Sequence, residues 1–96
     1  MTVIATLELR LRPDRLDDAP AVLEEVLAET RAFPGNHGVE VLTDVEDPTH
    51  VTALERWESL EHDDAYRTWR AGGGQRPALA ALLAAAPVLT RWSTSD

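Results

Sequence analysis

Val3-Ile4-Ala5-Thr6-Leu7-Glu8-Leu9-Arg10-Leu11-Arg12-Pro13 is the stretch on which the fold turns. Val3, Ala5, Leu7, Leu9 and Leu11 alternate with Ile4, Thr6, Glu8, Arg10 and Arg12, a period of two that predicts a strand with one buried and one polar face. Pro13 ends it. Beyond, Asp17, Asp18 and Pro20 supply start signals for a helix in which Leu16, Ala19, Leu23, Val26, Leu27 and Thr30 recur at helical spacing. Phe33-Pro34-Gly35 stops that helix after about Ala32. Two further strands are expected, Val39 to Thr43 and roughly Val51 to Glu58, joined by the polar connection Asp44 to Thr49. Ser59 suits the N-cap of a second helix, where His62, Ala65, Tyr66 and Trp69 form one stripe and Asp63, Asp64, Arg67 and Arg70 fall on the other side. Ala71-Gly72-Gly73-Gly74 breaks it. Pro77 then opens a short helix striped with Leu79, Leu82, Leu83 and Ala86, Pro87 closes it, and Val88 to Ser93 reads as a last strand before a polar tail.

The order β-α-β-β-α-(short α)-β is that of an α+β, ferredoxin-like split βαβ fold with an antiparallel four-stranded sheet. One domain accounts for residues 1–96, with an ordered core over about 3–93. Its helices cover one sheet face only. The other face carries Glu8, Arg10, Glu40 and Arg56 among apolar residues such as Ile4 and Leu42, and a domain this small buries a modest share of its surface. A second copy of the chain, sheet against sheet, would complete the core as a homodimer, provided those charges pair.

Composition removes many functions. Nine arginines stand against seventeen acidic residues, with a formal net charge of −8 and no lysine, so anionic nucleic acid and membrane surfaces repel the chain. Without lysine there is neither a phosphate-loop lysine nor a Schiff base. Without cysteine there is no disulfide, thiolate nucleophile or thiolate-bound metal. The N-terminus lacks the basic and apolar regions of a signal peptide and no segment is long enough to span a bilayer, so a cytoplasmic address is expected.

Two stretches resemble a known family. Glu29-Thr30-Arg31-Ala32-Phe33-Pro34-Gly35-Asn36-His37-Gly38-Val39-Glu40-Val41-Leu42 is similar to the junction between the first helix and second strand of the antibiotic biosynthesis monooxygenases, and Glu55-Arg56-Trp57-Glu58-Ser59 resembles their entry to the second helix. The resemblance implies a dimeric α+β barrel with a cavity between helices and sheet in each subunit. It also implies oxygenation of anthrone-type or quinol substrates without metal or flavin, or, in other members, binding and degradation of haem. Tyr66 falls where many members have His and the haem degraders have Trp. Arg76 and Leu7 stand where the haem degraders carry their iron-ligating His and an Asn, which argues against haem here.

Oxygenation without a cofactor needs a base to remove an acidic proton, a water-poor cavity, and donors aimed at the resulting oxyanion. Tyr66, His37 and Trp69 are the candidate catalytic residues, with His62, Arg76 and Asn36 as candidate substrate contacts. Each has an ordinary reading too: Tyr66 and Trp69 as core aromatics, His62 as solvent-facing, His37 as a turn residue in water, and Arg76 as a charge at a helix start, where the dipole disfavours it. The three histidines have no metal-ligand spacing, and His50 reads as a surface residue in the hairpin connection. Gly72-Gly73-Gly74 lacks the lysine of a phosphate loop and reads as a hinge or flap. The expected partners are a small aromatic substrate, oxygen and a second copy, with no cofactor. Enolate chemistry without oxygen and a non-catalytic small-ligand domain are the alternatives.

Overall fold

The computed structural model describes residues 2–95. Its elements are β1 (Val3–Arg10), a 3-10 turn (Pro13–Arg15), α1 (Ala19–Ala32), β2 (Asn36–Asp44), β3 (Asp47–Trp57), α2 (Leu60–Ala71), α3 (Pro77–Ala80) and β4 (Val88–Ser93). The strands form one antiparallel sheet in the order β2-β3-β1-β4. This is the expected ferredoxin-like arrangement, with β3 and β1 in the middle.

The alternation in β1 works as read. Val3, Ala5, Leu9 and Leu11 are buried under the helices, and on β3 the same face carries Val51, Ala53, Glu55 and Trp57. Helix α1 lays Ala19, Val26, Leu27 and Thr30 onto this face, while α2 packs Tyr66 against Val3, Ala5, Trp57 and Phe33. Phe33 meets both Tyr66 and Trp57 edge-on, with ring centroids 5.3 Å and 6.1 Å apart. Gly35 turns the chain between α1 and β2 at φ 86°, and a Cβ there would lie 2.3 Å from the His62 ring. Only glycine fits that turn.

Three local readings need correction. The β2–β3 connection is shorter than expected, because the ladder continues to Asp44 and Asp47 around an irregularity after Thr43; Asp47 accepts from the Thr49 backbone N–H and stabilises that entry. Helix α3 is a single turn. Leu82 leaves the helical path, becomes fully buried, and accepts from the Arg12 N–H, while Leu83 bridges to Leu11. Most important, the buried stripe of α2 is rotated by one position: Asp63 and Tyr66 are buried and the Arg67 and Arg70 side chains are 22% and 16% exposed, whereas Ala65 faces solvent.

Helices leave the opposite sheet face uncovered. Its charges pair within the sheet: His50 lies 2.9 Å from Glu8 and 3.0 Å from Asp44, and Arg56 lies 3.5 Å from Glu40. Hydrogen bonds to Asp44 and Glu8 hold His50 above its ordinary proton affinity. Between these pairs Leu42 and Trp92 are half exposed, beside Ile4 and Leu54.

Candidate functional site

Between the sheet, α1, α2 and the segment around α3 lies a chamber of about 310 Å³. Leu7, Leu9, Leu23, Val26, Leu27, Leu79, Leu83 and Pro87 make most of its wall, and Glu55, Tyr66, Arg67, Arg70 and Arg76 supply its polar groups. Its volume sits at the lower end of the range for small-molecule sites, roughly 300 to 1,000 Å³. A larger groove of about 560 Å³ runs along the other flank of α1, lined by residues such as Leu16, Leu23, Leu27, Val41 and Val51. That groove is the more open of the two, and the charged residues lining it among those described are Glu24 and Arg31. The smaller chamber is the chemically equipped one, because it holds a buried carboxylate.

Glu55 stands in the middle of the sheet, paired with Ala5 on one side and Val39 on the other. It is 1% exposed, accepts from the Trp57 indole N–H at 3.2 Å and is held by the Arg67 guanidinium. Burial pushes its proton affinity above the usual carboxylate range, against the opposing pull of Arg67 and Trp57. A carboxyl group with that bias, lining a cavity, is a candidate for exchanging a proton with a bound molecule.

Arg70 organises the adjoining wall. Its Nε donates to the Tyr66 hydroxyl at 2.8 Å, and its terminal nitrogens donate to Glu29, Gly74 O, Val26 O and Thr30 Oγ1. Thr30 Oγ1 gives its own proton to Val26 O, so across the 2.7 Å contact the Tyr66 hydroxyl donates to Thr30. The Tyr66 proton therefore points into the network. Arg76, at the mouth, is pinned by Glu25 at 3.0 Å and Glu29 at 3.2 Å. Gly74 packs beneath Trp69, where a Cβ would lie 2.4 Å from the indole, so this end of the glycine segment is a tight connection.

Of the residues singled out from sequence, Tyr66 and Arg76 line the chamber. Trp69, His37, His62 and Asn36 do not. Trp69 sits outside it with Phe33 and Pro34, tilted over the Phe33 ring. His37 occupies the bulge where β2 slips register against β3 and is 3.8 Å from Glu58 in solvent. His62 is tied to the N-cap, with Nδ1 2.7 Å from Ser59 Oγ. Asn36 accepts from the Gly38 N–H, and its buried Nδ2 has no partner among the described residues. The expectation that these residues share a cavity with Tyr66 fails for His62 and Trp69 because the α2 stripe facing the sheet is the neighbouring one, and for Asn36 and His37 because they lie at the register shift that opens β2.

Glu55, Arg67 and Arg70 were not singled out from sequence. The signal for Glu55 was present: Val51, Ala53, Glu55 and Trp57 share one strand face, and a carboxylate in an otherwise apolar register is an anomaly that asks for a partner. Arg67, in turn, is that partner.

No curated protein matches the sequence. Among solved structures the chain resembles a conserved protein from Methanosarcina mazei Go1, at a TM-score of 0.83 and 16% identity, covering 96% of this chain and 91% of the other. It also resembles Rv0793 from Mycobacterium tuberculosis, at a TM-score of 0.81 and 21% identity over 100% and 97% of the two chains. A protein described as an antibiotic biosynthesis monooxygenase superposes at a TM-score of 0.82 with 17% identity over 98% and 99%. At these identities the structures establish the fold. The family model for antibiotic biosynthesis monooxygenases matches residues 2–85, and with that match over most of its length the chain belongs to the antibiotic biosynthesis monooxygenase family.

Proposed function

We propose that the chain is a cofactor-independent monooxygenase that oxidises a small quinol- or anthrone-like aromatic with molecular oxygen in the chamber above Glu55. The observation that carries this reading is one buried carboxylate of raised proton affinity in a largely apolar cavity, flanked by guanidinium groups. Family membership and the named neighbour support oxygenation as the reaction class. In this mechanism the Glu55 carboxylate removes an acidic C–H or O–H proton. The resulting enolate or phenolate is stabilised by Arg67, whose partner Glu55 is then protonated. The electron-rich anion reduces oxygen, the two recombine as a peroxide, and water leaves with the proton held by Glu55. Overall, the CH₂ of an anthrone and O₂ become C=O and H₂O; a quinol and O₂ become a ring-hydroxylated quinone and H₂O. Tyr66 orients Arg70 in this scheme, and His37, His62, Asn36 and Trp69 take no part in it.

Oxygen uptake on addition of an anthrone or hydroquinone is the direct test, expected to be stoichiometric with quinone formed. Turnover under argon would point to enolate chemistry without oxygen. Absence of turnover with either class, despite ligand binding, would leave a binding domain.

The uncovered sheet face is proposed to pair with its copy in a homodimer, since an apolar band of this kind on a small domain marks an interaction surface. Leu54→Asp, at the centre of that face opposite Thr6 and Glu40, is expected to dissociate the dimer. Light scattering should then report a mass near 10.6 kDa for the variant and twice that for the parent. A parent already at the monomer mass removes the pairing proposal.

A further inference from the structure

The base proposed above does not have Arg67 to itself. Arg67 Nε donates to Asp63 Oδ1 at 3.0 Å, while a terminal nitrogen of the same guanidinium holds Glu55. Asp63 is 0% exposed, so two buried carboxylates compete for one half-buried cation. Uncompensated, Asp63 would draw the guanidinium into a bidentate pair and leave Glu55 with the Trp57 N–H alone.

A second cation prevents this. Arg91 lies on the helix-facing side of β4, opposite Ala5, and its guanidinium reaches α2 to contact Asp63 Oδ2 at 3.4 Å as well as Asp64. Charges thus alternate from the chamber to the surface: Glu55, Arg67, Asp63, Arg91, Asp64. Among the described residues of β4, none lines the chamber, yet through this ladder the last strand bears on the group at its centre.

We propose that Arg91 is a positioning residue for the proposed reaction: by neutralising Asp63 it leaves Arg67 facing Glu55. This rests on Glu55 being the proton acceptor. The charged groups around Glu55 are Arg67 and Asp63 from α2, then Arg70 from the same helix and Arg76 at the mouth, the last two engaged by Glu29. Arg91 is therefore the group whose removal changes the charge balance of Asp63 without opening the chamber wall.

The test is a carbon-13 NMR titration of the Glu55 carboxyl in the full chain, its signal identified by loss in Glu55→Gln, alongside the pH profile of oxygen uptake. Arg91→Gln should shift the Glu55 midpoint upward and move the acid limb of kcat to higher pH. On that limb turnover should fall by about three- to tenfold, with the alkaline plateau retained. Arg91→Lys, which keeps the charge, should stay near the parent. Asp63→Asn, which removes the competitor, should shift the midpoint downward, and it decides the matter if Arg91→Gln does not fold. An unmoved midpoint in folded Arg91→Gln, or equal shifts in Arg91→Lys and Arg91→Gln, overturns the proposal. Shifted midpoints in a parent that consumes no oxygen would uphold the charge ladder and sink the monooxygenase reading instead.

Discussion

Glu55→Gln is expected to lower oxygen-dependent turnover by about 10²- to 10⁴-fold, the usual contribution of a positioned general base, while leaving the fold at least as stable at neutral pH. The amide keeps the shape of the side chain and its acceptor for the Trp57 indole. It cannot take a proton. The stability half follows from the direction in which Glu55 is displaced. Burial outweighs Arg67, so the folded state holds this proton more tightly than the unfolded chain, whose carboxyl titrates near 4.5. Stability from this group is then fullest below that pH and is lost as pH rises through the higher folded midpoint. Above that folded midpoint the parent carries the penalty of a buried charge and the amide carries none. Melting temperatures of the two proteins should accordingly separate in favour of Glu55→Gln as pH increases from 4.5 towards 8. Turnover near the parental rate would remove Glu55 from the chemistry. A variant that melts well below the parent at pH 7 would make Glu55 a structural half of an ion pair.

That the fold was readable from sequence while the chamber was only half readable has a physical origin. In β1 the alternation of Val3, Ala5, Leu9 and Leu11 with more polar neighbours agrees with burial because hydrophobic transfer dominates there, Leu7 being half-buried beside the chamber. Likewise Phe33-Pro34-Gly35 ended α1 where backbone sterics require it. In α2 the assumption that apolar residues face inward chose the stripe His62, Ala65, Tyr66, Trp69. The helix instead turns Asp63, Tyr66, Arg67 and Arg70 towards the sheet, one step round. What reverses the expectation is Glu55 on the opposing strand together with Glu29 on α1, whose charges make guanidinium groups the complementary surface. Such complementarity joins residues 12 and 41 positions apart, and no local pattern contains it. His37 and Asn36 misled for a similar reason. Their place beside the Pro34-Gly35 turn was sound, but a register slip at His37 sends that side chain into solvent.

Arg70→Met should produce the largest loss of stability of any single change in the chamber wall, about 3 to 5 kcal/mol, the cost typical of breaking a buried charged network from one side. A guanidinium has five N–H donors, and in Arg70 all five are engaged: by Tyr66, Glu29, Gly74, Val26 and Thr30. Its plane also lies against aromatic rings, 4.7 Å from the Trp69 centroid and 5.2 Å from that of Tyr66. One side chain thus ties α2 to α1 and to the segment leading into α3. Methionine fills much of the volume but donates nothing, so the Tyr66 hydroxyl, Thr30 Oγ1, Val26 O and Gly74 O each lose a donor, and a buried acceptor left unsatisfied costs about 1 to 3 kcal/mol. Lysine should rescue little, since a point charge on a flexible stem cannot reproduce a planar fork aimed at partners on separate elements. Urea unfolding of the parent, Arg70→Met and Arg70→Lys would measure this. A loss below about 1 kcal/mol for methionine, in the range of an exposed ion pair, would mean that the network is assembled around the chamber without holding it together.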